Sequence, residues 1–90
     1  MKNRLDLLDY KILQRIYWDS KRRPMSVDDF EDLGVEKPTF LYHTRKLVKL
    51  QMVDEINTYP KFWIPIEEKR VLVMTLVKAG FHSLNREDDV

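Results

Sequence analysis

The stretch from Gly34 to Val53, GVEKPTFLYHTRKLVKLQMV, decides the fold of this chain, because it has the pattern of a tight turn followed by one amphipathic helix. At about 100° per residue, one side of that helix is mainly apolar, whereas the other carries a phenol, a guanidinium and an amine. The core side holds Phe40, Thr44, Leu47 and Gln51, and the outer side holds Pro38, Tyr42, Arg45 and Lys49. Between Lys37 and Gln51 there are four basic residues and no acidic one, which is typical of a helix that lies against a polyanion.

Ahead of this stretch, the sequence predicts two further helices. Apolar residues recur at steps of three and four from Leu5 to Trp18 and predict a first helix, with Asp9 among the residues expected in solvent. Ser26, followed three places later by Asp29, has the spacing of a capping box and predicts a short second helix. That helix is expected to end at Gly34, which provides the positive φ needed to leave it.

Beyond the amphipathic helix, the pattern changes to that of a hairpin and a last helix. Two short runs rich in β-branched and aromatic residues flank the turn cluster Asn57–Pro60. Pro65 limits the second strand to an edge or marks its end. A final helix is expected over residues 67–83, with acidic residues at its N-terminal end. We therefore predict an α+β fold in a single domain over residues 1–90, with a three-helix core, a two-stranded hairpin and a C-terminal helix.

The composition excludes several classes of protein. Ninety residues, of which 43% are hydrophobic and 34% charged, suit one globular domain. The chain has no cysteine, which excludes disulfides and thiolate metal sites. No secretory segment is visible at the start, and the longest apolar run, Val71–Val77, is too short to span a bilayer. We therefore expect a cytoplasmic protein that has no membrane partner.

Catalysis and metal binding find no support in the sequence. With only Gly34 and Gly80, the chain cannot form a Gly-rich phosphate loop, and no nucleophile elbow is present. The two histidines, His43 and His82, have no ligand-type neighbours at metal spacing, and His43 is expected to be a partly buried structural residue. We therefore expect a binding protein with no cofactor and no small-molecule effector, and not an enzyme.

The opening stretch, together with the order of the elements around it, resembles the winged helix-turn-helix transcription regulators of the ArsR and MarR type. The residues that match the family pattern are Gly34, Val35, Lys37, Thr39, Phe40, Tyr42, His43, Arg45, Lys46, Leu47, Met52 and Val53. The chain departs from that pattern at Leu41, Thr44 and Gln51, and the family often has a glycine at the last of these positions. The resemblance implies a winged-helix fold, with a recognition helix at about 38–51 and a wing at about 52–66.

For function, the resemblance implies a transcription regulator that binds double-stranded DNA, with the recognition helix in the major groove and the wing over the neighbouring backbone. Within it, Arg45 has the chemistry to fork to guanine or to bind phosphate, and Leu41 could meet a thymine methyl group. The other predicted DNA contacts are Lys37, Pro38, Thr39, Tyr42, Lys46, Lys49, Tyr59, Lys61, Arg22 and Arg23.

The predicted last helix is apolar around almost its whole circumference and therefore needs cover on two sides, which indicates a homodimer. The residues assigned to that interface are Leu72, Val73, Leu76, Val77 and Phe81. An alternative function stays open, in which the domain is a protein-interaction adaptor and the acidic second helix is its working surface. The net charge of only +1 favours this alternative, whereas the unbroken basic run favours DNA.

Overall fold

The computed structural model describes residues 5–18 and 24–88, with side chains as far as residue 83. Its helices are α1 (Leu7–Trp18), a 3₁₀ helix (Val27–Leu33), α2 (Lys37–Lys49), a 3₁₀ turn (Glu67–Lys69) and α3 (Arg70–Asp88). Its strands are β1 (Val53–Ile56) and β2 (Phe62–Pro65). The predicted α+β class and the predicted order of elements are confirmed.

The first helix begins at Leu7 and not at the predicted Leu5, because Asp6 caps it. Asp6 Oδ1 accepts a hydrogen bond from the N–H of Asp9 at 3.1 Å, and Asp9 Oδ2 accepts one from the N–H of Asp6 at 2.8 Å. This reciprocal pairing satisfies two backbone donors at the helix N-terminus. Asp9 is fully buried, so its predicted exposure to solvent is wrong.

The 3₁₀ helix occupies the place of the predicted short second helix. The N–H of Ser26 donates to Asp29 Oδ2 at 2.9 Å, as the capping spacing predicts. Gly34 follows the helix with a φ of 68°, which confirms the predicted left-handed turn. The 3₁₀ helix is also bound to α1, because Arg15 donates two hydrogen bonds to the carboxylate of Asp32, at 3.0 and 2.7 Å. The carboxylates of Asp29 and Asp32 therefore both accept hydrogen bonds from other residues of the chain.

The strands β1 and β2 form an antiparallel hairpin in which Val53 pairs with Pro65 and Ile56 pairs with Phe62. Pro65 is the last residue of its strand, as predicted. On the outer edge of β2, Met25 exchanges two backbone hydrogen bonds with Trp63, at 3.0 and 2.8 Å. The segment before the 3₁₀ helix is thereby tied to the hairpin.

The hydroxyl of Tyr17, near the end of α1, binds both ends of this hairpin. It donates to the carbonyl of Met52 and accepts from the N–H of Ile66, the latter at 3.1 Å. Burial raises the pKa of the Tyr17 phenol, which keeps the hydroxyl protonated and able to donate. The hairpin is therefore anchored to α1 before its first strand and after its second.

α3 lies antiparallel to α1, and the two helices approach closely at Gly80. A Cβ atom at Gly80 would lie 2.3 Å from Cζ of Tyr10, so only glycine fits beneath this ring without a shift. The Tyr10 ring also lies 6.0 Å from that of Phe81, between centroids. At the other end of the pair, the Arg70 guanidinium donates to the carbonyl of Tyr17.

Two residues predicted at a dimer interface lie in the interior of the single chain, and a third is partly buried. Val73 and Val77 are each 1% exposed, and Phe81 is half-buried against the same core. They face α1, which covers one side of α3. The structure therefore corrects the interface assignment of the buried Val73 and Val77, whereas Leu72 and Leu76 remain exposed at 66% and 38%.

The core lies where α1, α2 and α3 meet the inner side of the hairpin. Phe40 of α2 contacts Phe30 and Trp63, with ring centroids 4.8 and 5.4 Å apart. Of the neighbouring aromatic residues in β2, Trp63 is the one that points inwards, at 1% exposure. In the described part of the chain, no helix combines the length and the apolar character that crossing a membrane requires.

Candidate nucleic-acid interface

The two sides of α2 are divided as the periodicity of the sequence predicts. Phe40, His43, Thr44 and Leu47 are buried, and His43 is 7% exposed, as expected of a structural histidine. Gln51 is an exception, because it lies past the helix end and is exposed instead of joining the core side. Pro38 occupies the first turn, where its missing N–H costs no helical hydrogen bond.

The outer side of α2 presents a continuous exposed surface. Its exposed residues are Lys37, Pro38, Thr39, Tyr42, Arg45 and Lys49. Within the described residues, Lys37, Arg45 and Lys49 make no ion pair, so their charges face solvent. Tyr42 is 60% exposed, and its phenol is free to donate or to accept a hydrogen bond. We call this set the outer face of α2.

Lys46 does not belong to the outer face, although the sequence assigned it to DNA. Its Nζ lies 2.6 Å from Oδ2 of the buried Asp9, and its side chain is only 18% exposed. The other oxygen, Asp9 Oδ1, lies 2.7 Å from Nδ1 of His43, which precedes Lys46 by about one turn on α2. The carboxylate of Asp9 thus holds α2 against α1 through two basic side chains, so that the ammonium of Lys46, which the sequence assigned to phosphate, is engaged within the fold.

The pKa shifts in this cluster follow from its geometry. Burial by itself would raise the pKa of Asp9, but hydrogen bonds from Lys46, from the N–H of Asp6 and from His43 outweigh burial and lower it. Burial by itself would lower the pKa of Lys46, but the bond to Asp9 raises it. Asp9 is therefore ionised and Lys46 is protonated at neutral pH, so that the pair is charged.

Asp6, Asp9 and His43 also offer potential metal-ligand atoms that all lie within 4.8 Å of one another. The arrangement does not suit a metal ion, because the Lys46 ammonium at 2.6 Å already occupies the cation position beside Asp9. The other oxygen of Asp9 is bound to His43. We therefore assign this cluster to anchoring α2.

A groove of about 390 Å³ separates the start of α2 from the tip of the hairpin. Lys37 and Leu41 line it on the helix side, and Tyr59 and Lys61 line it on the hairpin side. Tyr59 is fully exposed at the tip. Lys61 lies 3.6 Å from Glu55 across the strands, so its charge is partly balanced. The structure thus brings together one end of the outer face and both residues that the sequence predicts for the wing.

Acidic residues surround this surface. Asp28 lines the same groove, Glu36 precedes α2, and Asp54 is exposed on β1. The predicted contacts Arg22 and Arg23 lie outside the described residues. Among the described residues, Lys37, Arg45 and Lys49 thus place three cations without an ion pair on one helix, while Lys11 and Lys78 are exposed on α1 and α3.

Asp9 is the site residue that sequence reasoning missed. Its only signal in the sequence is the three-residue spacing from Asp6, which indicates a helix cap. The pairing of Asp9 with residues 43 and 46 depends on how α1 and α2 cross, which periodicity does not report.

Searches with this chain find no matching family model, no matching curated protein and no matching solved structure.

Proposed function

We propose that this chain is a winged-helix transcription regulator that binds double-stranded DNA, with α2 as its recognition helix and the hairpin as its wing. The observation that carries the proposal is the outer face of α2. It combines three cations that pair with no acid of the described residues, two hydroxyl donors and no acid of its own, on a helix whose opposite side is fixed in the core. A helix of this kind fits the major groove, which is about 12 Å wide.

Each residue of the outer face has a role that suits its chemistry. Arg45 and Lys49 lie one turn apart, so that Arg45 can fork to a guanine edge while Lys49 contacts a phosphate. Thr39 and Tyr42 supply hydroxyls for bases or phosphates. Leu41 is half-buried in the groove beside the wing, and in this proposal it meets a thymine methyl group.

The wing makes a smaller contribution in this proposal. Tyr59 reaches into solvent at its tip, and Lys61 is the wing's one cation near the groove. Because the Lys61 ammonium forms an ion pair with Glu55, its attraction to phosphate is weakened. The groove between α2 and the wing would follow the sugar-phosphate backbone between the major and minor grooves of the duplex.

A second copy of the chain would complete the regulator. On α3, Leu72 and Leu76 point outwards four residues apart, with Ala79 and Ser83 continuing the same exposed stripe. Stripes at steps of four and three residues are typical of helices that pair. A symmetric pair would present two recognition helices to half-sites about one helical turn, or 34–36 Å, apart.

Binding-site selection from random duplexes tests the proposal. We expect enrichment of a two-fold symmetric site and a measurable salt dependence. With Lys37 and Lys49 as the phosphate contacts and Arg45 on a base, the slope of log K against log salt should be about −2 per protomer, from about −0.9 per phosphate contact. Failure to enrich any sequence, together with binding insensitive to salt, would refute the proposed function.

Arg45 provides a sharper test on a selected site. Replacing it by alanine removes the guanidinium and is expected to weaken specific binding by about 1–3 kcal/mol. The matched control is Lys78→Ala, which removes a cation from an exposed position on α3, away from the outer face. Equal affinities for both variants would remove Arg45 from the interface.

The adaptor function remains a second candidate because of one observation. Lys46 and Lys61 are both engaged with acids, while Asp28, Glu31 and Glu36 are exposed beside the outer face. Asp29 caps the 3₁₀ helix, and Asp32, although exposed, is paired with Arg15, which reduces the free acidic charge that this candidate needs. Recovery of a stoichiometric protein partner in place of nucleic acid would favour the adaptor.

A further inference from the structure

The ring of Tyr42 is held from two sides on the outer face of α2. The imidazole of His43 meets it edge-on, with centroids 5.3 Å apart and planes at 88°. Lys46 Nζ lies 6.0 Å from its centroid. Both arrangements are attractive for an aromatic ring, and together they favour one orientation of the side chain.

The two residues that hold Tyr42 are themselves fixed by one buried group. His43 Nδ1 and Lys46 Nζ lie 2.7 and 2.6 Å from the two oxygens of Asp9, which is fully buried. The N–H of Asp6 donates to Asp9 Oδ2 at 2.8 Å and helps to fix the carboxylate in turn. An exposed side chain is thus connected to the core through two charge-assisted contacts.

From this geometry we infer that Lys46 is a positioning residue, which holds the Tyr42 phenol towards the bases and makes no phosphate contact. The inference rests on the proposed function and deepens it, because it names Tyr42 as a specificity-determining residue. A phenol whose orientation is favoured by two neighbouring side chains loses less conformational freedom on binding than a free one, so its hydroxyl can discriminate between base edges. Lys49, exposed and unpaired in the described structure, is the phosphate-contacting counterpart.

The first measurement compares the salt dependence of Lys46→Met and Lys49→Met on a selected duplex. Lys49→Met is expected to reduce the magnitude of the slope of log K against log salt by about 0.9 per protomer. Lys46→Met is expected to leave the slope at its wild-type value. A reduction with Lys46→Met that equals the one with Lys49→Met would overturn the inference, because it would show a phosphate contact.

The second measurement is the ratio of affinities for the selected and the random duplex. Lys46→Met and Tyr42→Leu are each expected to lower this ratio by about tenfold, in the range of one lost base discrimination. The double variant should lower it no further, because both changes remove the same oriented phenol. If the losses in the affinity ratio were additive in the double variant, Lys46 would have a merely structural role and the inference would be contradicted. An unchanged ratio in Lys46→Met would also contradict it.

A third measurement uses the unmodified protein and so does not depend on the folding of any variant. Lysine acetylation followed by mass spectrometry should label Lys49 in the free protein and protect it on DNA. Lys46 should react slowly in both states because Asp9 holds it. Fast labelling of free Lys46 with protection on DNA would overturn the inference. Absence of any selective duplex binding by the wild type would refute the proposed function as well, whereas the other adverse results refute only the role of Lys46.

Discussion

Gln51 ends α2 in a backbone conformation that most side chains avoid. Its φ is 61°, in the left-handed region. Its N–H donates to the carbonyl of Val48 at 2.9 Å, and the N–H of Met52 donates to that of Leu47 at 3.0 Å. These two bonds close the helix in the arrangement that usually carries a glycine. The winged-helix pattern often has a glycine at this position. Gln51 replaces that glycine here, but the chain makes the same turn.

Gln51→Gly is expected to stabilise the protein by about 0.5–1 kcal/mol. Relief of the left-handed strain, about 1–2 kcal/mol, exceeds the extra entropy that glycine loses on folding, about 0.5–1 kcal/mol. Urea denaturation measures the difference. Lys49→Gly is the matched control, since Lys49 is exposed and helical, and it should destabilise by about 1 kcal/mol. A loss of stability in both variants would contradict the prediction.

Asp9→Asn is expected to cost about 3–5 kcal/mol, because it leaves the basic groups of His43 and Lys46 without their shared acid. The pKa of Asp9 is lowered on folding, so its contribution to the free energy of unfolding is complete above the ordinary value of 3.8 and is lost as the pH falls through the lower folded value. The pKa of Lys46 is raised, so its contribution is complete below 10.5 and is lost as the pH rises through the higher folded value.

Urea denaturation of wild type and Asp9→Asn across pH measures this contribution. The difference between the two proteins should be constant near neutral pH and should shrink at both extremes. Asp28→Asn is a suitable control, because Asp28 is exposed and its replacement should change stability little at any pH. A difference that grows below pH 3.8 would contradict the assigned direction of the Asp9 shift.

At the scale of elements, the contact between α1 and α3 depends on the absence of one side chain. In a free helix, Gly80→Ala would stabilise by about 1 kcal/mol. Here the added methyl would overlap the Tyr10 ring, and a net loss of about 1–3 kcal/mol is expected. In a Tyr10→Ala background the overlap disappears, and the same Gly80→Ala change should become stabilising. Thermal denaturation of the four proteins gives the sign, and an unchanged sign would show that the ring is not the cause.

The elements differ in how far the sequence predicts them. The two sides of α2 follow from the spacing of its apolar residues, and the Gly34 turn and the Pro65 strand end follow from backbone chemistry. The role of Lys46 does not follow, because its acidic partner is 37 positions away, and a basic residue beside Arg45 looks the same whether it faces DNA or Asp9. Likewise, helical periodicity shows that α3 is apolar all round but not which side meets α1.

At the scale of the whole molecule, the exposed stripe on α3 predicts the state of assembly. Leu76→Glu places a charge on the proposed pairing surface and is expected to shift the protein from dimer to monomer without unfolding it, because Leu76 is 38% exposed in the single chain. Sedimentation velocity measures the change. Lys78→Glu, on a different exposed side of the same helix, should leave the dimer intact. A monomeric wild type would remove the dimer from the proposal.

The single hydroxyl of Tyr17 has a mechanical consequence. Because it binds the backbone both before β1 and after β2, the wing cannot tilt without breaking a bond at the end of α1. The carbonyl of the same residue receives the Arg70 guanidinium at the first turn of α3. A pull on the hairpin tip would therefore reach α3 through Tyr17, so that in the proposed regulator the contact of the hairpin with DNA and the pairing of two chains would depend on the same residue.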